Sequence, residues 1–507
     1  MRRILSVGLL GLLGCAPVLH RSAAPPRPRG LAAVVDSVIS VPGLDRTTFG
    51  IEVWDPGANR VLFALNANKH LMPASNTKLV ATSAAMALLG PDWRYRTDVY
   101  ALGLDGKGAA KGVLLVARGD PTWAPPFVPD DFTVPAALAD SIRAAGVRRI
   151  DGDLVVDASA FERAGLNDSW NLSDLPWYYA APTGALAIGE GTRRYVVLPG
   201  MGVGLPAGVR FIGPEPQGPV LNTITTGPSD SRRSVDPERR PGVDTLYLSG
   251  RVPFGVAADT EVTTVIDPAV FAARELAAEL SARGIQVTGA IRVLHDSAEA
   301  GALSAPTAPP RRAVASWTSP TIAEVVAACL KPSDNWLAEQ LLKTIGLQKG
   351  GLGSWQAGLG VERTYLTGTV GLDSLDFHLR DGSGLSAQNL LTAHAIVRLL
   401  GYVAAQPWGA IYQAALAEPG QKGTLQRRLV AYQGRLHAKT GSIANVNSLS
   451  GYIRADDGRD LVFSILSNGS GIAPALVRGA IDRIAAAIAA NGASAGNGSN
   501  ATIGGRP

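Results

Sequence analysis

Apolar positions along the chain follow two different periods, which predicts a mixed α/β protein. Residues 48–54 alternate apolar and polar side chains, residues 61–65 form a short apolar run, and Asp55-Pro56-Gly57 between them is typical of a turn. This pattern predicts a β-hairpin. Residues 74–89 are rich in Ala and Leu and contain no Gly or Pro, which predicts a helix that begins at or just before Ser75.

The pattern changes in the middle of the chain and changes back near its end. Between about 96 and 305 short apolar runs are separated by Gly, Pro and Asp, which predicts strands at 113–117, 154–156, 195–198 and 245–248. The Pro-rich stretch 304–312 is expected to be a linker. Beyond it the sequence predicts helices at 322–330, 336–345 and 473–490, and strands at 446–454 and 461–466.

These changes indicate one domain that is interrupted by another region. We expect residues 31–95 and 306–490 to form a single domain, and residues 96–305 to form a β-rich insertion of two subdomains. With 507 residues, of which 46% are hydrophobic and 18% charged, the chain is long enough for two or three sizeable cores. A net charge of +5 does not suggest a nucleic-acid partner.

The N-terminus is typical of an exported protein. Two arginines precede an apolar run at 4–13 that is too short to span a membrane as a mature helix. Leu12-Leu13-Gly14-Cys15 resembles a bacterial lipobox, which implies a signal peptide at 1–14, a lipid on Cys15 and a flexible tether at 15–30. Ala16, rather than Asp, favours the outer membrane of a two-membrane cell, with the protein in the periplasm. The alternative is a chance cysteine in an ordinary signal. Residues 491–507 are predicted to be a disordered tail.

Cysteine and histidine usage gives no sign of a metal or cofactor site. The six histidines are scattered, and Cys15 and Cys329 have no ligand spacing, so we predict no metal and no cofactor. Cys329 lies in an apolar helical stretch, where a free thiol is more often packing than chemistry.

The first chemical motif is Ser75-Asn76-Thr77-Lys78. Residues three apart lie on one face of a helix, so the Lys78 amine can approach the Ser75 hydroxyl. A serine needs an adjacent base to act as a nucleophile at neutral pH, and a lysine serves when burial or nearby cations lower its pKa. The helix N-terminus offers N–H groups to an oxyanion. The alternative is a buried helix with a capping serine.

The second motif, Ser333-Asp334-Asn335, is predicted to lie in a turn between two helices. Ser333 can relay a proton to a leaving amine, and the Asn335 amide can donate a hydrogen bond to a substrate carbonyl. The alternative is a simple helix cap.

The third motif, Lys439-Thr440-Gly441, is predicted to lie on a strand. Lys439 and Thr440 offer a cation and a hydroxyl to a substrate carboxylate. Gly441 allows close backbone approach, and the N–H of Ser442 can complete an oxyanion hole. Alone, each motif means little, but the three in this order indicate a serine acyl-transferase.

This order of motifs resembles the penicillin-binding proteins and serine β-lactamases. In β-lactamases and most small carboxypeptidases the second motif follows the first within a hundred residues, whereas Ser75 and Ser333 are 258 positions apart. That layout is similar to the D-alanyl-D-alanine carboxypeptidase/endopeptidase family of the penicillin-binding-protein-4 type, peptidase family S13. Segments 118–122, 174–182 and 381–386 also resemble it, and the resemblance covers roughly residues 31–488.

The resemblance implies a transpeptidase-like fold with inserted domains and a serine DD-peptidase without a cofactor. Ser75 would form an acyl-enzyme with peptidoglycan stem peptides, and β-lactams would inhibit by acylating it. Asp174 would contact the free amine of the diamino acid in the stem peptide, with Tyr179 nearby. Alternatively, Asp174 caps a turn and Tyr179 packs in a core.

Two other functions remain open from the sequence. One is a β-lactamase or esterase on the same scaffold, which would turn over its acyl-enzyme quickly. The other is a non-catalytic lipoprotein that binds the cell wall. Such a protein is expected to have lost Ser75, Lys78 or Lys439, and all three are present.

Overall fold

The protein is described by a computed structural model that covers residues 30–163, 165–240, 242–303 and 308–490. The expected signal peptide at 1–14, the tether apart from Gly30, and the tail at 491–507 lie outside the described residues. So do residues 304–307 of the expected linker. Within the described ranges, no helix combines the length and apolarity that a bilayer span requires.

The helices and strands fall into three consecutive groups along the chain. The first group is α1 (Leu31–Ile39), β1 (Thr48–Asp55), β2 (Arg60–Leu65) and α2 (Lys78–Leu89), with a 3-10 turn at Ala74–Thr77. The second is β3 (Arg94–Leu102), β4 (Ala109–Ala110), β5 (Gly112–Val116), α3 (Thr133–Ala144), β6 (Arg149–Ile150), β7 (Leu154–Asp157), β8 (Thr192–Leu198), β9 (Gly208–Phe211), β10 (Val220–Asn222), β11 (Thr225–Gly227), β12 (Ser234–Arg239), β13 (Leu246–Pro253), β14 (Asp259–Thr264), α4 (Pro268–Ala282), β15 (Gln286–Val287), β16 (Ile291–Leu294), α5 (Ser297–Ala302) and β17 (Arg311–Thr321). The third is α6 (Ile322–Leu330), α7 (Asn335–Gly350), α8 (Trp355–Thr364), β18 (Phe377–His378), β19 (Leu390–Leu391), α9 (Ala393–Ala404), α10 (Gly409–Ala415), β20 (Leu436–Ile443), β21 (Val446–Arg454), β22 (Asp460–Asn468) and α11 (Pro474–Ala490).

One antiparallel sheet joins the two ends of the described chain. Its strand order is β2-β1-β22-β21-β20, so the N-terminal hairpin pairs with the C-terminal strands. Phe463 and Ile465 of β22 pack in a core with α1 and α11, whereas Val462 and Leu466 pack in the helical core on the other face. Because both faces of the sheet are covered, β21 and β22 are buried almost throughout rather than at alternate residues.

The helical layer places the first two motifs side by side. Helices α2, α6, α7, α9 and α10 share one apolar core, in which α2 packs against α7. The Asp334 side chain caps α7 by accepting a hydrogen bond from the N–H of Leu337 at 2.8 Å. This cap places Ser333 just outside the helix, where its φ of 71° is left-handed.

The elements that the sequence predicted around the motifs are found with nearly the same bounds. The hairpin is β1 and β2, the helix at 322–330 is α6, and the strand at 446–454 is β21. The insertion contains helices α3 and α4 as well as strands, and the apolar pattern did not predict these helices. For α4 a signal was present, because Asp267 caps it and Pro268 occupies its first turn.

The insertion is built on a mixed sheet with the strand order β16-β7-β5-β3-β17. Strand β17 pairs antiparallel with β3 from Thr321↔Arg94 to Arg311↔Leu102. We therefore propose that the insertion runs from about 94 to 321, wider than the expected 96–305. It has a large apolar cluster around α3 and α4 and a smaller one around β8 and β13.

Candidate active site

The three motifs meet at the N-terminus of α2, where their polar side chains are in hydrogen-bond contact. The Lys78 Nζ lies 3.0 Å from the Ser75 Oγ and donates a hydrogen bond to the Asn335 Oδ1 at 2.6 Å. The Lys439 Nζ donates to the Ser333 Oγ at 2.7 Å. The structure thus brings together the five side chains that the sequence assigned to chemistry.

The Asn335 amide has a fixed orientation. Its Nδ2 donates to the carbonyl oxygen of Tyr179 at 2.9 Å, so its Oδ1 must face Lys78. The third neighbour of the Lys78 Nζ is the carbonyl oxygen of Ser383, at 2.7 Å. Two of the three neighbours can therefore only accept hydrogen bonds, and the Ser75 hydroxyl alone can donate one.

Burial controls the protonation of both lysines. Lys78 and Lys439 have no exposed surface. Burial lowers the pKa of Lys78, although Cys329, Asp334, Asp381 and Glu339 act in the opposite direction. Burial, and next the charge of Lys78, hold the pKa of Lys439 well below its usual range.

Strand β20 lies directly against the turn that carries Ser75. A Cβ on Gly441 would come within 2.9 Å of the Ser75 N and 2.2 Å of the Ser448 Oγ, so only glycine fits there. The Ser448 hydroxyl donates to the carbonyl oxygen of Pro73 at 2.8 Å, which ties the sheet to the turn. Ala74, immediately before Ser75, has a left-handed φ of 48°. Such strain in a residue other than glycine persists only where its surroundings enforce it.

A cleft of about 640 Å³ opens over these groups. Thr440, Gly441 and Ser442 line it on the β20 side. Asp174 and Tyr179, which come from the insertion, also line it, and the Tyr179 hydroxyl donates to the Asp174 carboxylate at 3.0 Å. Burial and this hydrogen bond raise the pKa of Tyr179 to about 12, so the phenol keeps its proton.

The cleft has acidic and basic lining groups. The basic ones are Arg428, which is paired with Asp482 at 2.7 Å, and Arg478. Asp174 is an acidic one. In the described ranges, no group of three or more His, Cys, Asp or Glu side chains is arranged to hold a metal ion.

The sequence did not identify several polar side chains that pack around the active site. Glu190, in a turn of the insertion, shares a cavity with Asp334, and its carboxyl is hydrogen-bonded to the Asp334 carboxyl. Burial and the Asp334 charge raise the pKa of Glu190 well above its usual range. In the loop at 381–386, the N–H of Ser383 donates a hydrogen bond to Glu339 of α7, and the N–H of Gly384 donates one to Asp381 within the loop. Of Glu190, Glu339 and Asp381, only Asp381 had a signal in the sequence, because it belongs to the segment 381–386 that resembles the family.

Of the two cysteines, the structure describes Cys329 and not Cys15. Cys329 is fully buried and free, and burial raises the pKa of its thiol to about 12. It is therefore not a thiolate nucleophile near neutral pH. Cys15, the expected lipid site, lies outside the described residues.

Comparison with known proteins gives a consistent result along the whole described chain. Residues 31–488 match the D-Ala-D-Ala carboxypeptidase 3 (S13) family. The chain is similar to a D-alanyl-D-alanine carboxypeptidase of Actinomadura sp. (strain R39), with 34% identity over 93% of this chain and 87% of that protein. It is also similar to carboxypeptidase DacB of Mycolicibacterium smegmatis, with 28% identity over 95% of this chain and 88% of that one.

The fold has a close counterpart among solved structures. Penicillin binding protein 4 (dacB) from Haemophilus influenzae superposes with a TM-score of 0.75 and 19% sequence identity. The match covers 89% of this chain and 97% of that one. The expectation of a penicillin-binding-protein and β-lactamase-like domain with additional sheet domains is thereby confirmed.

Proposed function

This chain belongs to the D-Ala-D-Ala carboxypeptidase 3 (S13) family of serine DD-peptidases, and from that premise we propose that it hydrolyses peptidoglycan stem peptides through an acyl-enzyme on Ser75. The observation that carries the proposal is the 3.0 Å contact between the Ser75 Oγ and a fully buried Lys78 amine, inside a cleft lined by residues of all three motifs.

Lys78 acts as the base for acylation. A neutral amine has two N–H bonds and one lone pair. The Asn335 Oδ1 and the Ser383 carbonyl oxygen take the two N–H bonds, which directs the lone pair to the Ser75 hydroxyl. Burial lowers the pKa of Lys78, so at a given pH a larger fraction of this amine is neutral than of an exposed lysine. Acylation therefore slows as the pH falls through that pKa.

The remaining motif residues act on the carbonyl oxygen and on the leaving amine. The N–H groups of Ser75 and Ser442 hold the oxyanion, which the tight packing of Gly441 against the Ser75 N supports. The Ser333 hydroxyl, which accepts a hydrogen bond from Lys439, relays a proton: it gives its own proton to the leaving amine and takes one from the Lys439 amine. Water then releases the acyl group from Ser75.

The leaving group decides which of two peptidase activities is observed. A terminal D-alanine makes the enzyme a carboxypeptidase, with Lys439 and Thr440 at the carboxylate. A cross-linked diamino acid makes it an endopeptidase. β-Lactams imitate the D-Ala-D-Ala unit and acylate Ser75.

Substitution of Ser75 to Ala is expected to lower kcat on D-Ala-D-Ala stem peptides by at least roughly a thousandfold, because no nucleophile remains. The measurement is D-alanine release, together with thermal unfolding. Ser83→Ala is the matched control, since this buried serine of α2 lies outside the three motifs and donates to the carbonyl oxygen of Val80. Ser75→Ala with wild-type turnover would rule out the proposal.

Asp174 is proposed to recognise the free amine of the diamino acid in the stem peptide, with Tyr179 holding its carboxylate. Support comes from their 3.0 Å hydrogen bond and from their position in the cleft wall. The Asp174 carboxylate accepts no backbone N–H bond in the described residues, unlike a helix-capping aspartate.

Asp174→Ala is expected to lower kcat/KM on stem peptides that carry this amine about tenfold, the effect of one lost charge contact of about 1.4 kcal/mol. Acylation by benzylpenicillin, which has no such amine, stays at the wild-type rate. Glu238→Ala, at an exposed ion pair elsewhere in the insertion, serves as the control. An equal loss on both substrates would show that Asp174 is structural.

We propose that the enzyme works outside the cytoplasm, where peptidoglycan lies. A lipid on Cys15 would hold it at a membrane, and Ala16, rather than Asp, at the next position favours the outer membrane. The apolar run at 4–13 and Leu12-Leu13-Gly14-Cys15 support this part of the proposal.

The lipid is testable in a bacterial host that is fed an alkyne-tagged fatty acid. We expect label on the full-length protein and none on Cys15→Ser, because the thioether and the new amino terminus both require this cysteine. Cys329→Ser is the control and keeps the label. Equal labelling of wild type and Cys15→Ser, or no label on either, would contradict the anchor.

A further inference from the structure

Helix α7 carries a buried carboxyl side chain, Glu339, one turn after Asn335. Glu339 lies four residues further along, on the same side of the helix, and has no exposed surface. Its carboxylate accepts three hydrogen bonds: from the N–H of Ser383 at 2.7 Å, from the N–H of Gly382 at 3.1 Å and from the Trp355 Nε1 at 2.8 Å. Two of these three donors belong to the loop at 381–386.

This loop touches the active site at two points. The Ser383 carbonyl oxygen accepts a hydrogen bond from the Lys78 Nζ at 2.7 Å. Gly384 has a φ of +81° and lies so close to Ala74 that a Cβ would come within 1.9 Å of the Ala74 carbonyl oxygen. The loop therefore holds both the lysine amine and the strained turn before Ser75.

Asp381 fixes the loop from within. Its carboxylate accepts hydrogen bonds from the N–H of Gly384 at 2.8 Å and the N–H of Ser386 at 2.7 Å. The bonds from Glu339 instead attach the loop to α7. Since Asn335 begins α7 and also binds Lys78, one rigid helix sets the positions of two of the three groups around the amine.

The titratable groups around Glu339 come from five elements. Lys343 lies on the same helix, Glu362 on α8, Asp381 in the loop, Lys78 on α2 and Cys329 on α6. Burial, and next the Asp381 charge, raise the pKa of Glu339 to about 7. The negative charge of Glu339 in turn favours the protonated form of Lys78.

Glu362 offers a natural comparison. It is as fully buried as Glu339, but within the described residues neither of its carboxyl oxygens has a hydrogen-bond partner. Burial, and next the Glu339 charge, raise the pKa of Glu362 well above its usual range, which favours its neutral form. Glu362 therefore has the burial of Glu339 without the hydrogen bonds to the loop.

We propose that Glu339 is a positioning residue for acylation, which holds the Ser383 carbonyl oxygen against the Lys78 amine through the loop at 381–386. This inference rests on the proposed role of Lys78 as the base. Glu339 does not touch the substrate. It acts through the loop, by fixing where the Lys78 lone pair points, and through its charge.

The test compares Glu339→Gln with Glu362→Gln in the rate of Ser75 acylation by benzylpenicillin across pH. A glutamine at 339 turns its NH₂ group toward at least one of the three N–H donors, so at least one bond to the carboxylate is lost. We expect acylation to fall about tenfold to a hundredfold, the scale of one charge-assisted hydrogen bond. We also expect the acid limb of the profile to move to lower pH, because a negative charge near Lys78 is gone.

Glu362→Gln is expected to keep both the wild-type rate and the wild-type acid limb. A wild-type rate and an unmoved acid limb in Glu339→Gln would overturn the inference, and so would equal losses in both variants. If Glu339→Gln fails to fold, Trp355→Phe removes one donor and leaves the charge. We then expect a smaller loss with an unmoved acid limb, and a wild-type rate would overturn the inference.

The same experiment separates this inference from the proposed function. Wild-type protein that benzylpenicillin does not acylate on Ser75 would contradict the proposed function itself. Wild-type protein that is acylated normally, together with an unaffected Glu339→Gln, would remove only the positioning role of Glu339.

Discussion

The active site depends on the burial of one lysine amine. Lys78 has no exposed surface, and a buried amine is tolerated only when its hydrogen-bonding groups have partners. Those partners come from three separate segments: Ser75 on the preceding turn, Asn335 at the start of α7, and the Ser383 carbonyl in a loop. The site therefore forms only when the chain before the insertion has packed against the chain after it. The same burial that demands these partners lowers the pKa of the amine, which favours the neutral form that the proposed base requires.

A second constraint comes from the sheet. The last strands of the chain pair with the first hairpin, and this places β20 beside the turn that carries Ser75. The absence of a side chain at Gly441 lets the backbones meet, and the bond from Ser448 to Pro73 holds them there. The Lys439 amine reaches the Ser333 hydroxyl from the same strand. Sheet pairing thus sets the distance between the nucleophile and the third motif.

The sequence predicted the elements that carry the motifs because their signals are local. The helix after Ser75, α6 between its capping Thr321 and Leu330, and β21 all follow from periodicity, caps and composition within a few residues. The meeting of the motifs came from resemblance to a family, since no local pattern relates Ser75 to residues hundreds of positions away. The periodicity of the sequence alone therefore could not predict that the three motifs meet.

What the sequence could not predict depends on long-range contacts. Glu339 is one of many polar residues on a helix, and only the packed loop at 381–386 shows that its carboxylate has a partner. Glu190 became notable only because the fold sets its carboxyl against that of Asp334. The first two residues of β17, Arg311 and Arg312, fall in the stretch 304–312 that was expected to be a linker because it is Pro-rich; the pairing of β17 with β3 is a tertiary property.

We propose that the buried Lys78 amine makes Ser75 an acylating nucleophile. The most direct measurement is intact-protein mass spectrometry with peptide mapping after incubation of the purified protein with benzylpenicillin. We expect a stable adduct of one penicilloyl group on the peptide that contains Ser75. Rapid loss of penicillin without an adduct would indicate a β-lactamase, and neither adduct nor turnover would indicate a non-catalytic binder; either result would contradict this expectation.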